Sequence, residues 1–260
     1  MKAAIFDLDN TLVDTLSLHK KAYELMLEKY EIAYDKEKLR KIFGIAPKDI
    51  VHKIIEENNI TIDPKKFHDE KQTLYLELSK GKIELLPGVL HILEVLKSMK
   101  VKMAVASGGT KTNVYDALRS TGIEHFFDVV YTGCEIENGK PNPEIFQKVA
   151  KELNVLPKDC IVFEDSIYGI TAAKDAGMIA IAIATGVHTK EELEHADNVY
   201  SEMSEFLEEL HIYFKREEQW VKLCLLCKSE NVTLFVGGHT GTYICKDCGY
   251  VGLPFEVQKD

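Results

Sequence analysis

Short apolar runs alternate with amphipathic stretches along most of the chain, and this alternation predicts strands that are separated by helices. The runs typical of buried strands are 2–7, 101–106, 127–131, 161–163 and 178–183. Between the later runs, apolar residues recur at helical spacing, which predicts helices over 111–120, 143–153 and 167–176. Strands connected in this way form right-handed crossovers, so we expect an α/β fold with a parallel sheet covered on both faces.

One long segment interrupts the alternation directly after the first strand. From Thr15 to Lys80 the pattern is helical and polar, with no convincing strand. The simplest domain division is an α/β core, a helical cap inserted after its first strand, a linker and a small C-terminal module. These parts correspond to residues 1–14 with 84–210, 15–83, 211–219 and 220–260, respectively.

Composition narrows the classes of function. The 260 residues include 32 basic and 42 acidic side chains, which gives a formal net charge of −10. Because nucleic-acid binding needs clustered Lys and Arg, a nucleic-acid partner is not expected. The longest apolar run, 178–184, is too short to cross a bilayer, and Asp7 and Asp9 lie where a signal peptide would be apolar. We therefore expect a cytoplasmic protein with no membrane association.

Polar and charged side chains follow the predicted strands at the points where those strands end. Parallel sheets bind ligands at their carboxyl edge, so these side chains are expected to converge there. Carboxylate oxygens are ligands that Mg²⁺ prefers, and an ammonium and a hydroxyl group can hold phosphoryl oxygens. The pattern thus predicts a site for Mg²⁺ and a small phosphorylated metabolite. Its candidate residues are Asp7, Asp9, Thr11, Ser107, Gly108, Lys140, Glu164 and Asp165.

In this order, these residues resemble the four motifs of the haloacid dehalogenase superfamily of phosphotransferases. The run Asp-Leu-Asp-Asn-Thr-Leu-Val-Asp-Thr at 7–15 is similar to that of the β-phosphoglucomutase-like phosphatases, which carry a helical cap after the first motif. The resemblance implies a Rossmann-like core. It also implies phosphatase or phosphomutase chemistry, because dehalogenases of the superfamily lack an acid at the position of Asp9.

The resemblance implies roles for the residues of the first motif. Asp7 would be the nucleophile that forms an aspartyl-phosphate, and also a ligand of the catalytic Mg²⁺. Asp9 would be the general acid for the leaving alcohol and then the general base for water, with its backbone carbonyl on the metal and Thr11 positioning it. The acid step needs a protonated Asp9, so we expect a closed cap that removes water to raise the Asp9 pKa.

The remaining motif residues would bind the phosphoryl group and complete the metal site. Ser107, with Gly108 beside it, and Lys140 would hold phosphoryl oxygens, and Lys140 would also offset the charge of the nucleophile. Asp165 would complete the Mg²⁺ site, together with Glu164 either directly or through water.

The cap leaves two questions open. His19 on its first helix is either a substrate-gating residue or an ordinarily exposed one. In the sugar phosphomutases that the chain resembles, a cap-loop arginine grips the distal phosphate, whereas here the loop around Gly44 has Pro47 at that position, followed by Lys48. The leading hypothesis is therefore a Mg²⁺-dependent phosphatase for small phosphomonoesters, and a sugar phosphomutase is the alternative.

Four cysteines in the tail form two Cys-x-x-Cys pairs. Cys224 and Cys227 are separated from Cys245 and Cys248 by 17 residues, a spacing typical of Cys₄ zinc, and the segment resembles a zinc ribbon. Four thiolates leave no open position on the metal, so we expect a structural Zn²⁺; a redox role would explain only the first pair. The module also permits another hypothesis, a non-catalytic regulatory protein that presents the ribbon to a protein partner.

Overall fold

The computed structural model of the protein describes residues 1–33, 47–58, 61–186, 188–214, 220–229, 231–234, 243–252 and 255–258. These residues form two compact units, Met1–Phe214 and Lys215–Asp260. The helix Met203–Tyr213 reaches almost to the end of the first unit, so residues 211–213, which the sequence placed in a linker, are helical. No helix in the described part of the chain is long and apolar enough to cross a membrane.

A six-stranded parallel sheet forms the centre of the first unit. The strands of this unit are β1 (Ala3–Phe6), β2 (Val13–Asp14), β3 (Glu84–Leu85), β4 (Lys102–Ala106), β5 (Val129–Tyr131), β6 (Cys160–Glu164), β7 (Ile179–Ile183) and β8 (Asn198–Tyr200). The order in the sheet is β5-β4-β1-β6-β7-β8, so β1 lies in the middle, between β4 and β6. The predicted α/β core is confirmed, and β8 is a short strand that the sequence pattern did not reveal.

Side chains of the central strand alternate between two hydrophobic cores, one on each face of the sheet. Ala4 and Phe6 belong to one core, and Ala3 and Ile5 belong to the other. Because both faces are covered by helices, the strand is apolar at every position. The first core includes residues of the helices Val89–Ser98, Lys111–Ser120 and Met203–Tyr213, and the second includes residues of Glu144–Glu152 and Ile167–Asp175.

The cap is an insertion between the short strands β2 and β3, which pair antiparallel where the chain leaves the core and returns to it. In the described residues it contains three helices and its own small core, which includes Tyr23, Ile54 and Phe67. The all-helical prediction for this segment therefore agrees with the structure over those residues. The cap helices are Leu16–Lys29, Pro47–Asn58 and Pro64–Ser79.

The second unit is built from short antiparallel strands. Val232–Leu234 pairs antiparallel with Tyr243–Cys245, and the residues between these strands lie outside the described part of the chain. Tyr243–Cys245 also pairs with Val251–Gly252, and a separate ladder joins Trp220–Leu223 to Phe255–Gln258.

Candidate active site

A cavity at the carboxyl ends of the central strands brings core and cap residues together. Of the residues that the sequence predicted for this site, all except Thr11 line it. The lining residues are Asp7, Asp9, Asn10, Leu16, His19, Tyr23, Ile50, Lys71, Gln72, Ser107, Gly108, Gly109, Asn113, Lys140, Glu164, Asp165 and Ser166.

Lys140 lies between two buried carboxylates. Its Nζ is 2.6 Å from Oδ1 of Asp7 and 2.5 Å from Oε1 of Glu164, and it also donates to the carbonyl of Ala106 at 3.0 Å. Lys140, Asp7 and Glu164 are only 6%, 7% and 1% exposed. Burial disfavours the charged form of Lys140, but the two carboxylates outweigh this effect and raise its pKa. The ammonium therefore stays charged against the predicted nucleophile.

Glu164 has both carboxylate oxygens engaged. Oε1 contacts Lys140, and Oε2 accepts hydrogen bonds from the backbone N–H groups of Asp165 (3.1 Å) and Ser166 (3.2 Å) and from the Ser166 hydroxyl (2.9 Å). Gly169 makes room for this carboxylate, since a Cβ at that position would lie 1.9 Å from the Cδ of Glu164. These bonds hold the Glu164 carboxylate between Lys140 and the turn that carries Asp165.

Four carboxylates and one ammonium meet at this end of the cavity, which leaves an excess of negative charge. Asp165 is buried, and burial together with the charges of Glu164 and Asp7 raises its pKa. A divalent cation would relieve this excess, and oxygen donors of this kind suit Mg²⁺. Mg²⁺ is usually held by one or two carboxylates with water and substrate oxygens, so these residues fit it without forming a closed cage.

The second aspartate of the first motif, Asp9, is held by donors from the start of the cap. The Thr15 hydroxyl donates to its Oδ1 at 2.6 Å, and Nε2 of His19 lies 3.4 Å from the same oxygen. Burial acts to raise the Asp9 pKa, but His19, Thr15 and the charge of Lys71 together hold it below its usual value. The expectation of a raised pKa was wrong because the cap brings hydrogen-bond donors and a cation to Asp9, as well as excluding water.

His19 is part of this site, so the reading of it as an ordinarily exposed residue was wrong. Lys71 donates to its Nδ1 at 2.8 Å, which leaves the Nε2–H to face Asp9, and its ring stacks on Tyr75 with centroids 4.1 Å apart. Burial and the charge of Lys71 lower the pKa of His19, and burial lowers the pKa of Lys71 to about 8. The Lys71 ammonium also lies over the rings of Tyr23 and Tyr75, at 4.8 and 5.2 Å.

The Thr11 hydroxyl does not hydrogen-bond to Asp9, and its suggested role in positioning that residue stays a prediction. The Thr11 side chain is buried, and its hydroxyl has no hydrogen-bond partner within the described ranges, whereas the Thr15 hydroxyl does contact Asp9.

Lys71 is a residue of the cavity that the sequence analysis did not identify, although the sequence contains a signal for it. Lys71 lies on the same helix face as the buried residues Phe67 and Tyr75, four positions away on either side, and a lysine on an apolar stripe indicates a buried charge.

The Ser107–Gly109 turn lies beside the carboxylate of Asp9. The Ser107 hydroxyl accepts a hydrogen bond from the Gly109 N–H at 3.0 Å, and a Cβ at Gly109 would lie 3.8 Å from Oδ2 of Asp9. Gly133 supports the turn from outside, where a Cβ would approach the Gly108 carbonyl to 2.4 Å. The turn therefore holds the predicted phosphate-binding residues next to Asp9.

The four tail cysteines come together in the second unit. Their sulfur atoms all lie within 4.8 Å of one another, which no other group of three or more potential metal ligands achieves in the described residues. The Sγ atoms of Cys224 and Cys248, and those of Cys227 and Cys245, are 3.6 Å apart. Tetrahedral zinc thiolates at ~2.3 Å from the metal place their sulfurs about 3.8 Å apart, while a disulfide requires about 2.05 Å. The donor set therefore fits zinc.

Two matching backbone turns shape the cysteine cluster. Lys228 donates its N–H to the carbonyl of Cys224, and Gly249 donates to that of Cys245, so each turn closes four residues after its first cysteine. Lys228 and Gly249 both have left-handed φ values, of 63° and 75°. The N–H of Leu226 points to the sulfur of Cys224 at 3.4 Å, a contact that stabilises a thiolate.

Comparison with known proteins is consistent with this geometry. The model of the family of haloacid dehalogenase-like hydrolases matches residues 4–183. The phosphorylated carbohydrates phosphatase of Thermotoga maritima is 36% identical over 182 residues, which cover 68% of this chain and 82% of that protein. The β-phosphoglucomutase of Bacillus subtilis is 33% identical over 193 residues, which cover 72% of this chain and 84% of that protein. The crystal structure of CbbY from Rhodobacter sphaeroides in complex with phosphate, 26% identical, superposes with a TM-score of 0.72 over 79% of this chain and 96% of that one.

Proposed function

Because the chain belongs to the family of haloacid dehalogenase-like hydrolases, and is a hydrolase, we propose that it is a Mg²⁺-dependent phosphatase of small phosphomonoesters, phosphorylated carbohydrates above all. The observation that carries this proposal is the buried contact between Lys140 and Asp7, at 2.6 Å, in a cavity that also contains Asp9. A carboxylate beside an ammonium at a strand end suits attack on a phosphoryl group.

In the first step, an oxygen of Asp7 attacks phosphorus and the bond from phosphorus to the ester oxygen breaks. Lys140 lowers the repulsion between the anionic nucleophile and the phosphoryl oxygens, and Ser107 lies where its hydroxyl can hold one of them. The leaving alkoxide takes a proton from Asp9. The product is an alcohol and an aspartyl-phosphate on Asp7.

Asp7, Asp165 and the backbone carbonyl of Asp9 would hold Mg²⁺, with Glu164 acting through water. When bound, the ion neutralises charge on the phosphoryl oxygens. Glu164 itself positions Lys140 and the turn that carries Asp165, through the bonds of its two oxygens.

The second step is hydrolysis of the aspartyl-phosphate by water. Asp9, with its pKa held down by His19 and Thr15, is ionised and ready to take the proton of that water. For the first step Asp9 must be protonated, and the approach of a phosphate dianion favours this because a nearby negative charge raises a carboxyl pKa. The same residue thus acts as acid and as base according to the charge beside it.

A phosphate-release assay tests the proposed activity. The purified protein is incubated with hexose and pentose monophosphates, nucleotides and p-nitrophenyl phosphate, with and without Mg²⁺. We expect Mg²⁺-dependent release that the Asp7→Asn variant loses while it stays folded. The matched control is Asp175→Asn, an exposed acid at the end of helix Ile167–Asp175, which should keep full activity. No release from any substrate would refute the proposal.

A sugar phosphomutase is the second candidate, favoured by the 33% identity to β-phosphoglucomutase. The stretch in which the sequence lacks the expected arginine, from Gly44 to Lys48, falls on residues whose side chains lie outside the described part. The two functions differ in product. A mutase converts a sugar 1-phosphate into its 6-phosphate isomer, and a phosphatase releases inorganic phosphate.

For the second unit we propose a structural Zn²⁺ held by Cys224, Cys227, Cys245 and Cys248. The unit has few residues for a hydrophobic core, so metal binding would supply the free energy of folding. One zinc per chain is expected by elemental analysis, and Cys227→Ser should lower that content. Cys134→Ser, which changes an exposed cysteine of the first unit, is the control and should leave it unchanged.

A further inference from the structure

A pair of side-chain amides joins the cap to the core at the wall of the cavity. Nδ2 of Asn113, on the core helix Lys111–Ser120, donates to Oε1 of Gln72, on the cap helix Pro64–Ser79, at 3.0 Å. Both residues line the cavity, and Asn113 is only 8% exposed. The acid–base mechanism uses neither of them.

This bond leaves an acceptor oxygen on Asn113 and N–H donors on the neighbouring Gln72. Oδ1 of Asn113 is buried and accepts no hydrogen bond from the described residues, while Gln72 retains its Nε2 donor. A hydroxyl group can donate to the first and accept from the second, whereas a phosphate dianion can only accept. Rotation of both amides by 180° exchanges donor and acceptor and preserves this complementarity.

The ammonium groups that line the cavity already have hydrogen-bond partners. Within the described residues, the ammonium groups that line it are those of Lys140, which contacts two carboxylates, and Lys71, which donates to His19. Gly108 leaves the cavity wall open, because an added Cβ there would meet no atom within 4 Å. The amide pair therefore lines a cavity in which the described ammonium groups already have partners.

We propose that Gln72 and Asn113 determine specificity by binding a hydroxyl group on the carbohydrate part of the substrate. The inference rests on the proposed phosphatase function and adds the residues that distinguish sugar monophosphates from phosphoesters without hydroxyl groups. Loss of the pair should weaken the binding of sugar phosphates while leaving phosphoryl transfer intact, since neither residue contacts Asp7 or Asp9.

The test compares two substrates in four proteins. The substrates are p-nitrophenyl phosphate, which has no hydroxyl group, and the monophosphate from a hexose and pentose panel that the wild type hydrolyses fastest. The proteins are the wild type, Gln72→Ala, Asn113→Ala and the control Gln147→Ala, which removes an exposed amide on helix Glu144–Glu152. Each cavity variant should raise KM for the sugar phosphate about tenfold, the effect of one lost hydrogen bond. The kinetics with p-nitrophenyl phosphate, and those of the control, should stay unchanged.

Three results would overturn the inference and leave the phosphatase proposal standing. If KM rises equally for both substrates in the cavity variants, the amide pair only closes the cap. If KM changes for neither substrate, the amide pair does not touch the substrate. A wild type that hydrolyses p-nitrophenyl phosphate but no sugar phosphate also overturns it. A wild type that hydrolyses nothing refutes the proposed function itself. Retained turnover of p-nitrophenyl phosphate shows that each variant is folded.

Discussion

Gly169 offers a test of how tightly the acid cluster is built, because a single methyl group there would strike Glu164. An alanine Cβ would lie 1.9 Å from both Cδ and Oε1 of Glu164, and 2.3 Å from Oε2. The carboxylate cannot turn aside freely, since it is bound by Lys140 and by the N–H and hydroxyl groups of Ser166. The clash must therefore break bonds or move the helix.

The size of the effect follows from three contributions. Forcing extra volume into a packed site costs about 1–3 kcal/mol, and each lost hydrogen bond to a charged group costs about 1.5–3 kcal/mol. The higher helix propensity of alanine offsets this loss of stability by about 1 kcal/mol. We therefore expect Gly169→Ala to lower the free energy of unfolding by about 3 kcal/mol, which corresponds to a fall in Tm of roughly 6–12 °C for a unit of this size.

Urea unfolding and phosphate release are the two assays. Turnover should fall as well as stability, because a displaced Glu164 no longer holds Lys140 against Asp7. The control is a double-mutant cycle with Glu164→Ala, in which the added methyl group has space, so its cost should nearly vanish. If Gly169→Ala matches the wild type in stability and turnover, or costs as much with Glu164→Ala as without it, the steric reasoning is wrong.

Three further perturbations have definite expected outcomes. Thr15→Val removes a donor to ionised Asp9 and so raises the Asp9 pKa. In the hydrolysis of the aspartyl-phosphate, where Asp9 must be ionised, this should move the acidic limb of the pH–rate profile to higher pH; the exposed Thr73→Val should leave that limb in place. Burial lowers the pKa of Lys71 to about 8, so the Lys71 amine binds a proton more tightly in the unfolded chain than in the folded one. The free energy of unfolding of the wild type therefore increases as the pH rises from about 8 to about 10. Urea unfolding at the two pH values should show that Lys71→Met lacks this gain of about 2 kcal/mol, and an equal gain in both proteins would contradict the assignment. Cys248→Ser should make residues 215–260 sensitive to trypsin while Cys134→Ser does not, and equal resistance of the two variants would argue against a structural metal.

Several parts of the site could be predicted from the sequence because they depend on local pattern. An apolar run defines each main strand, and the residue after the run must lie at the carboxyl edge of a parallel sheet, which places Asp7, Ser107 and Asp165 near one another. The spacing of the four cysteines likewise limits them to two tight turns. By contrast, β8 (Asn198–Tyr200) begins with a polar, exposed asparagine, so it does not form an apolar run that the sequence pattern could reveal.

Only the tertiary structure decided what the cap contributes. His19, Lys71 and Gln72 line the cavity because of how the cap helices pack over the sheet, and no local spacing encodes that packing. The pKa of Asp9 depends on the same arrangement, since the groups that lower it come from two cap helices distant in sequence. The chain's own pattern thus determined which residues lie at the carboxyl edge of the sheet. The docking of cap on core determined the direction of the Asp9 pKa shift and the pairing of Gln72 with Asn113, because both depend on contacts between residues distant in sequence.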